Sequence, residues 1–249
     1  MYRPSTSSDC LLEHGPHDQN ADAMGRPDLA LEVHPSINHH GFGVRHFQAF
    51  LSFGGLMVAF ILRLNLSVAV VGMATSENYK VVLTPESKAL VLSSMFWGYG
   101  LLQVISGAIG RRGHAVKLFA LGNFGAGIIS LMIPFAALNF GAVGICLLRF
   151  TIGLVQGNVY PNLNNVMANW AIPQEKDAMM CIVQAGAGLG SLISMSGSGY
   201  LGYKYDWPSI FYASGVVGII WGIIHAAFGG ENPESCKTIS NEEREYMRI

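Results

Sequence analysis

Two arginines, Arg63 and Arg149, stand deep inside long apolar stretches of the chain, and no Asp or Glu accompanies them at that depth. The acids Glu77, Glu86, Glu175, Asp177 and Asp206 fall at the ends of those stretches or between them. An ionisable group in a bilayer is costly and marks function by default. A guanidinium offers a rigid fork of donors that suits phosphate or carboxylate. Two such groups without an internal acid point to an anionic ligand. The competing reading pairs each arginine with helix carbonyls, or with an acid from another chain. At helical spacing, Arg149, Gly153, Gln156 and Tyr160 share one face, and Asn164 extends it. Ser52, Arg63 and Ser67 share a face of the first stretch, while Asn65 points elsewhere. Tyr99 and Gln103 lie one turn apart in the second. Such groups either line a polar cavity or bond between helices.

The elements that must position these residues are membrane-spanning helices. Of the 249 residues, 51% are hydrophobic and only 12% charged, against about 25% charged in a soluble domain. The apolar excess lies between residues 47 and 230. A polar tail, 1–46, precedes it, and a polar segment, 231–249, follows. A bilayer core needs about 20 apolar residues per helix. Six stretches satisfy this, at 47–74, 88–110, 115–138, 140–167, 177–201 and 208–229. They lack the recurring polar face of a soluble helix. The sixth contains one ionisable residue, His225. The expected fold is therefore all-α, a six-helix transmembrane bundle. A cleaved signal peptide does not fit, because the first apolar run begins near residue 47.

Basic residues orient the bundle. With the N-terminus inside, Arg45, Arg111, Arg112, Lys117, Lys176 and Lys237 are cytoplasmic, whereas the outer loops hold Lys80, Lys88 and Lys204. Both termini are expected in the cytoplasm. In the fifth stretch Gly186, Gly190 and Ser194, then Gly197 or Ser198, form a seam of small residues that lets helices approach and rock. The run from Ala185 to Gly190 fails as a dinucleotide loop, since Ser191 stands where the last glycine belongs and no strand precedes it. Cys10, Cys146, Cys181 and Cys236 make no disulfide framework or metal spacing. His39-His40 lacks partner ligands. Asn65-Leu66-Ser67 matches a glycosylation sequon but lies inside a span. No Walker loop, zinc pattern or catalytic triad is present, and nothing points to an enzyme, to nucleic acid or to a bound cofactor.

In order along the chain, several segments resemble one family. They are Arg63-Leu64-Asn65-Leu66-Ser67-Val68-Ala69, then Leu92-Ser93-Ser94-Met95-Phe96-Trp97-Gly98-Tyr99 with Gln103, then Arg149-Phe150-Thr151-Ile152-Gly153-Leu154-Val155-Gln156-Gly157 ending at Pro161. Trp170-Ala171-Ile172-Pro173-Gln174-Glu175, Gly202 through Tyr212, and Ile239-Ser240-Asn241-Glu242-Glu243-Arg244 follow. Together they cover residues 41–249 and resemble the anion/cation symporter family of the major facilitator superfamily. That family includes sodium/phosphate cotransporters, sialin and vesicular glutamate transporters. The resemblance implies symport of an anion by alternating access, with substrate contacts from Arg63 and Arg149; Tyr99, Gln103, Gln156 and Tyr160 are expected to join them from the polar faces described above. Structural or gating roles are expected of Gly107, Arg111, Arg112, Gly153, Gly157, Pro161, Gly186 and Gly190.

Proton-driven relatives carry an acid where this chain has Gln156 and can carry a His where it has Leu92. That tilts the expectation to inorganic phosphate, with sodium as co-substrate, at the plasma membrane rather than a vesicle or lysosome. The alternative is a proton-driven organic-anion carrier, sialic acid- or glutamate-like, of vesicles or lysosomes. The loop Gly107-Ala108-Ile109-Gly110-Arg111-Arg112-Gly113-His114 departs from the superfamily signature, with an Arg at its usual acid position. The superfamily builds its site between two six-helix halves, and this chain corresponds to the first. A second half or a homodimer is the expected partner, besides the anion and the bilayer. The alternative from another class is a truncated, non-transporting half or regulatory membrane partner.

Overall fold

The computed structural model describes residues 43–76, 79, 81–172, 175–234, 236 and 239. The polar tail before residue 43, most of the segment after 234, and parts of the fourth and sixth matching motifs lie outside the described residues. Within them, all regular structure is helical: α1 Val44–Thr75, α2 Pro85–Gly110, α3 Ala115–Gln156, α4 Val159–Trp170, α5 Lys176–Tyr205 and α6 Pro208–Phe228.

At 42 residues, a straight α3 would run roughly 63 Å, twice the bilayer core. It does not run straight. Gly141 has φ 55° and ψ −139°, inside a stretch that is otherwise helical. Side chains resist that conformation, and glycine accepts it. The chain reverses there, so Gly125 lies against Val155 and Gly122 against Asn158 and Val159. Residues 30 apart would stand about 45 Å apart along one straight helix. The third element is thus a hairpin of two arms, 115–140 and 142–156. Among the described residues, five helical stretches are long and apolar enough to cross a membrane, one of them spanning Ala115–Trp170; folding that one back yields the six crossings expected from hydropathy. The returning arm continues into α4 after a break at Gly157 and Asn158. Pro161 explains the break, because it has no N–H to donate to the Gly157 carbonyl.

The bundle closes through small residues. In α5, Gly186 and Gly190 lie against the carbonyls of Phe53 and Met57 in α1. One turn on, Ser194 Oγ donates to the Ile61 carbonyl at 3.2 Å. The predicted seam therefore holds α5 to α1. Its last step is Ser198, which is buried; Gly197 faces open space. Gly98 and Gly153 let α2 and the returning arm of α3 touch backbone to backbone. Gly127, Gly215 and Gly218 do the same for the outgoing arm and α6.

One end of the bundle carries Arg111 and Arg112 and is called the basic end. There the segment after α6 clasps α1, α3 and α4. Gln48 Nε2 donates to the Phe228 carbonyl and Gln48 Oε1 accepts from the Gly230 N–H. Trp170 Nε1 donates to the Gly230 carbonyl at 2.7 Å. The Glu231 carboxylate accepts from the N–H groups of Val116 and Lys117 at 3.2 and 3.3 Å. A carboxylate suits a helix N-terminus, where free donors and the macrodipole are positive. Arg45 pairs with Glu175 at 3.4 Å.

Candidate functional site

Arg63 and Arg149 meet. Both line a cavity of about 250 Å³ with Leu64, Leu66, Ser67, Leu92, Met95 and Phe96. Arg63 comes from the middle of α1 and Arg149 from the returning arm of α3. Among the described residues, no acid lines this cavity.

Their environments differ. Arg149 is 1% exposed. Its Nη2 donates to Asn65 Oδ1 at 2.6 Å, and its Nη1 donates to the carbonyls of Leu62 and Arg63, each at 3.4 Å. Its guanidinium carbon sits 5.7 Å from the Phe211 ring centre. Asn65 in turn donates to Ser214 Oγ at 2.7 Å, and Ser214 donates to the Ile210 carbonyl at 2.7 Å. A relay of three side chains therefore ties α3, α1 and α6 together. Neutral acceptors hold this cation, as in the carbonyl-pairing alternative. Its Nε has no partner.

Arg63 is more open. Its Nε donates to Gln156 Oε1 at 3.4 Å. The guanidinium carbon lies 5.0 Å from the Phe60 ring centre and 4.9 Å from that of Tyr99. Aromatic faces attract a cation without consuming its donors. Tyr160 packs edge-on against Phe60, with ring centres 6.3 Å apart. Arg63 Nη2 is buried without a hydrogen-bond partner. A buried guanidinium donor left unmade is costly, so this nitrogen is suited to donate to an anion's oxygen.

Of the residues expected from sequence, Arg63, Tyr99, Gln156 and Tyr160 cluster. Gln156 also donates to the Ala59 carbonyl at 3.3 Å, so its amide bridges two turns of α1. Gln103 is half-buried one turn beyond Tyr99. The expected shared face of the fourth stretch does not extend as read. Gly153 turns to α2, against Met95 and Tyr99 backbone, and Gly157 lies against the Tyr99 carbonyl. Asn164 is exposed, because the steps from Arg149 to Asn164 accumulate a drift of about 60° at 3.6 residues per turn. The buried amide is Asn162, which donates to Ser106 Oγ at 2.8 Å. Ser52 is buried at the basic end of α1 and Ser67 is exposed, so only Ser67 joins Arg63 at the cavity. Gly107 and Pro161 touch where α2 crosses α4. Arg111 and Arg112 are exposed in the loop before α3.

Sequence spacing missed Asn65 as the partner of Arg149, and Ser214 as the partner of Asn65. The available signal was the cost of burying an amide: an Asn inside an apolar helix must find a partner. Its burial also bears out setting the sequon aside. Among the described residues, no group of three or more His, Cys, Asp or Glu is placed to hold a metal ion.

Comparison with known proteins supplies the lineage. The family model of the Major Facilitator Superfamily matches residues 46–245. The chain is 31% identical over 234 residues to a "Putative inorganic phosphate cotransporter" of Drosophila melanogaster, covering 83% of this chain and 44% of that protein. It is 34% identical over 229 residues to sialin of Ovis aries, covering 82% of this chain and 46% of that protein. It is 33% identical over 238 residues to vesicular glutamate transporter 3 of Danio rerio, covering 90% of this chain and 40% of that protein. The chain thus spans less than half the length of these relatives. A match across four-fifths of its residues, on a six-crossing helical bundle, places it plainly: the chain belongs to the major facilitator superfamily.

Proposed function

We propose that this chain forms one wall of the path of an alternating-access carrier for a small anion, with Arg63 as the anion's main ligand. The observation that carries this reading is the buried, unpartnered Arg63 Nη2 in a cavity shared with a second guanidinium. With no acid lining that cavity among the described residues, an entering anion meets only positive charge and neutral donors. Tyr99, Gln103, Gln156 and Tyr160 complete the binding side. Arg149 adds charge, and its engaged donors fix the position of α1 beside it. The basic end faces the cytoplasm, following the basic-residue bias, and the plasma membrane is the proposed location.

Inorganic phosphate, cotransported with sodium, is the preferred substrate. One supporting name is that of the Drosophila relative; another support is the neutral Gln156 and Leu92 at positions where proton relays would need a titratable group. The second reading is a proton-driven carrier of organic anions, favoured by the names of the sialin and vesicular glutamate relatives. A second six-helix half, or a second copy, supplies the facing wall. A non-transporting regulatory half is the reading from another class.

Uptake into proteoliposomes separates them. Labelled phosphate should accumulate with sodium outside and fall at least tenfold in Arg63→Ala. Uptake indifferent to sodium but driven by an imposed pH gradient would support the second reading. No uptake of phosphate or carboxylates, with or without a complementary half, would leave the regulatory one.

A further inference from the structure

Away from the arginine cavity, a second hollow of about 510 Å³ opens on the outer side of the outgoing arm of α3 and α6. Ala120 and Gly222 are buried at its floor. Leu121 and Ile223, each 55% exposed, form its rims, and Ala226 continues it. Gly222 makes the floor possible, because a side chain there would strike Phe124. The lining from residue 117 to 124 runs about 10 Å along the helix. It is apolar except at one point, Lys117, at the basic end.

That end is unusual in charge. From residue 111 to 117 the chain reads Arg111, Arg112, Gly113, His114, Ala115, Val116 and Lys117, three cations without an acid. All three are exposed. The nearby acid, Glu231, is spent on the N–H groups of Val116 and Lys117. We propose that the groove between α3 and α6 is a binding site for an anionic phospholipid, with one acyl chain in the groove and the headgroup phosphate on Lys117, Arg111 and Arg112. Three points favour this occupant. The groove lies on apolar membrane-spanning helices, where its neighbours are acyl chains. Its single polar end carries the charge opposite to a phosphate. Anionic lipids concentrate in the cytoplasmic leaflet, and basic clusters beside a span attract them. The last point rests on the orientation proposed above; the first two do not.

The test is native mass spectrometry of the protein in mild detergent, titrated with phosphatidylserine or phosphatidylcholine of matched chains. Phosphatidylserine should bind at least tenfold more tightly. Lys117→Ala should weaken phosphatidylserine about fivefold and leave phosphatidylcholine unchanged. Ala226→Phe, on an exposed position, should fill the groove and weaken both lipids. Glycerophosphoserine, the headgroup without chains, should not compete. Equal affinity for the two lipids would overturn the proposal. So would full competition by the soluble headgroup, or wild-type binding by both variants. Should Ala226→Phe misfold, the exposed Lys117→Ala still decides.

Discussion

Arg63 and Arg149 share a residue type and a cavity but not a state. Arg149 has placed its terminal donors on Asn65 and two carbonyls, whereas Arg63 keeps Nη2 free. Stability and ligand binding should therefore separate by residue. Asn65→Ala removes the acceptor of Arg149 and the donor to Ser214, and should cost about 1–2 kcal/mol, as buried polar contacts in membranes do. Ser214→Ala should cost less, since Asn65 still holds Arg149. Thermal unfolding in detergent measures both; equal costs would show that Asn65 cannot hold Arg149 without Ser214. His225 supplies a second case. It is 1% exposed, stacks edge-on to Phe119 at 4.7 Å, and neither ring nitrogen makes a well-formed hydrogen bond, although the Leu51 backbone stands beside it. Replacing an orphaned polar group by an apolar one of similar size is near neutral or favourable. His225→Leu should leave the melting temperature unchanged or raise it. A loss above about 1 kcal/mol would mean the ring is satisfied after all.

At the scale of elements, small residues set how closely helices approach. Gly190 lies on the Met57 carbonyl, whereas Gly197 faces open space. Gly190→Leu should destabilise the α1–α5 pair by about 1–3 kcal/mol, the usual cost of overpacking. Gly197→Leu should leave folding intact. Comparing their unfolding temperatures checks the seam's register. The seam itself was legible in the sequence through its four-residue spacing. Which of Gly197 and Ser198 continues it was not, because spacing alone leaves adjacent faces open until a partner helix chooses. The two arms of α3 carry a further prediction. Gly141→Ala places a side chain in a conformation glycine alone accepts easily, and should cost about 1–3 kcal/mol.

For the whole molecule, the crossing number follows from the hairpin. A single uninterrupted helix over 115–170 would put residues 113 and 176 on opposite sides of the membrane. The observed reversal puts them on one side, with Gly141 on the other. Single cysteines at Gly113 and Lys176 should label together with an impermeant maleimide, and one at Gly141 from the opposite side. Labelling of Gly113 and Lys176 from different sides would remove the hairpin. The clasp at the basic end also acts at this scale, because Glu231 joins the chain after α6 to the start of α3. Its loss in Glu231→Gln should lower stability by under about 1 kcal/mol, the range of helix-terminus charge effects.

The crossings and the two arginines within them could be read from the chain directly. Apolar length against bilayer thickness is a one-dimensional property, and a charge in such a run is visible without a fold. The segment matches, also linear, pointed to the superfamily that comparison then showed. The tertiary structure alone decided what the arginines touch. Asn65 looked off-face because a helical wheel knows one helix, while its partner Arg149 comes from another, 84 residues away. Asn164 looked like an extension of the Arg149 face, but steps of four residues drift by about 40° each on a helix, and the side chain is exposed. Polar partners in a bundle are set by which faces meet, and those faces are fixed by glycine-sized contacts distant in sequence.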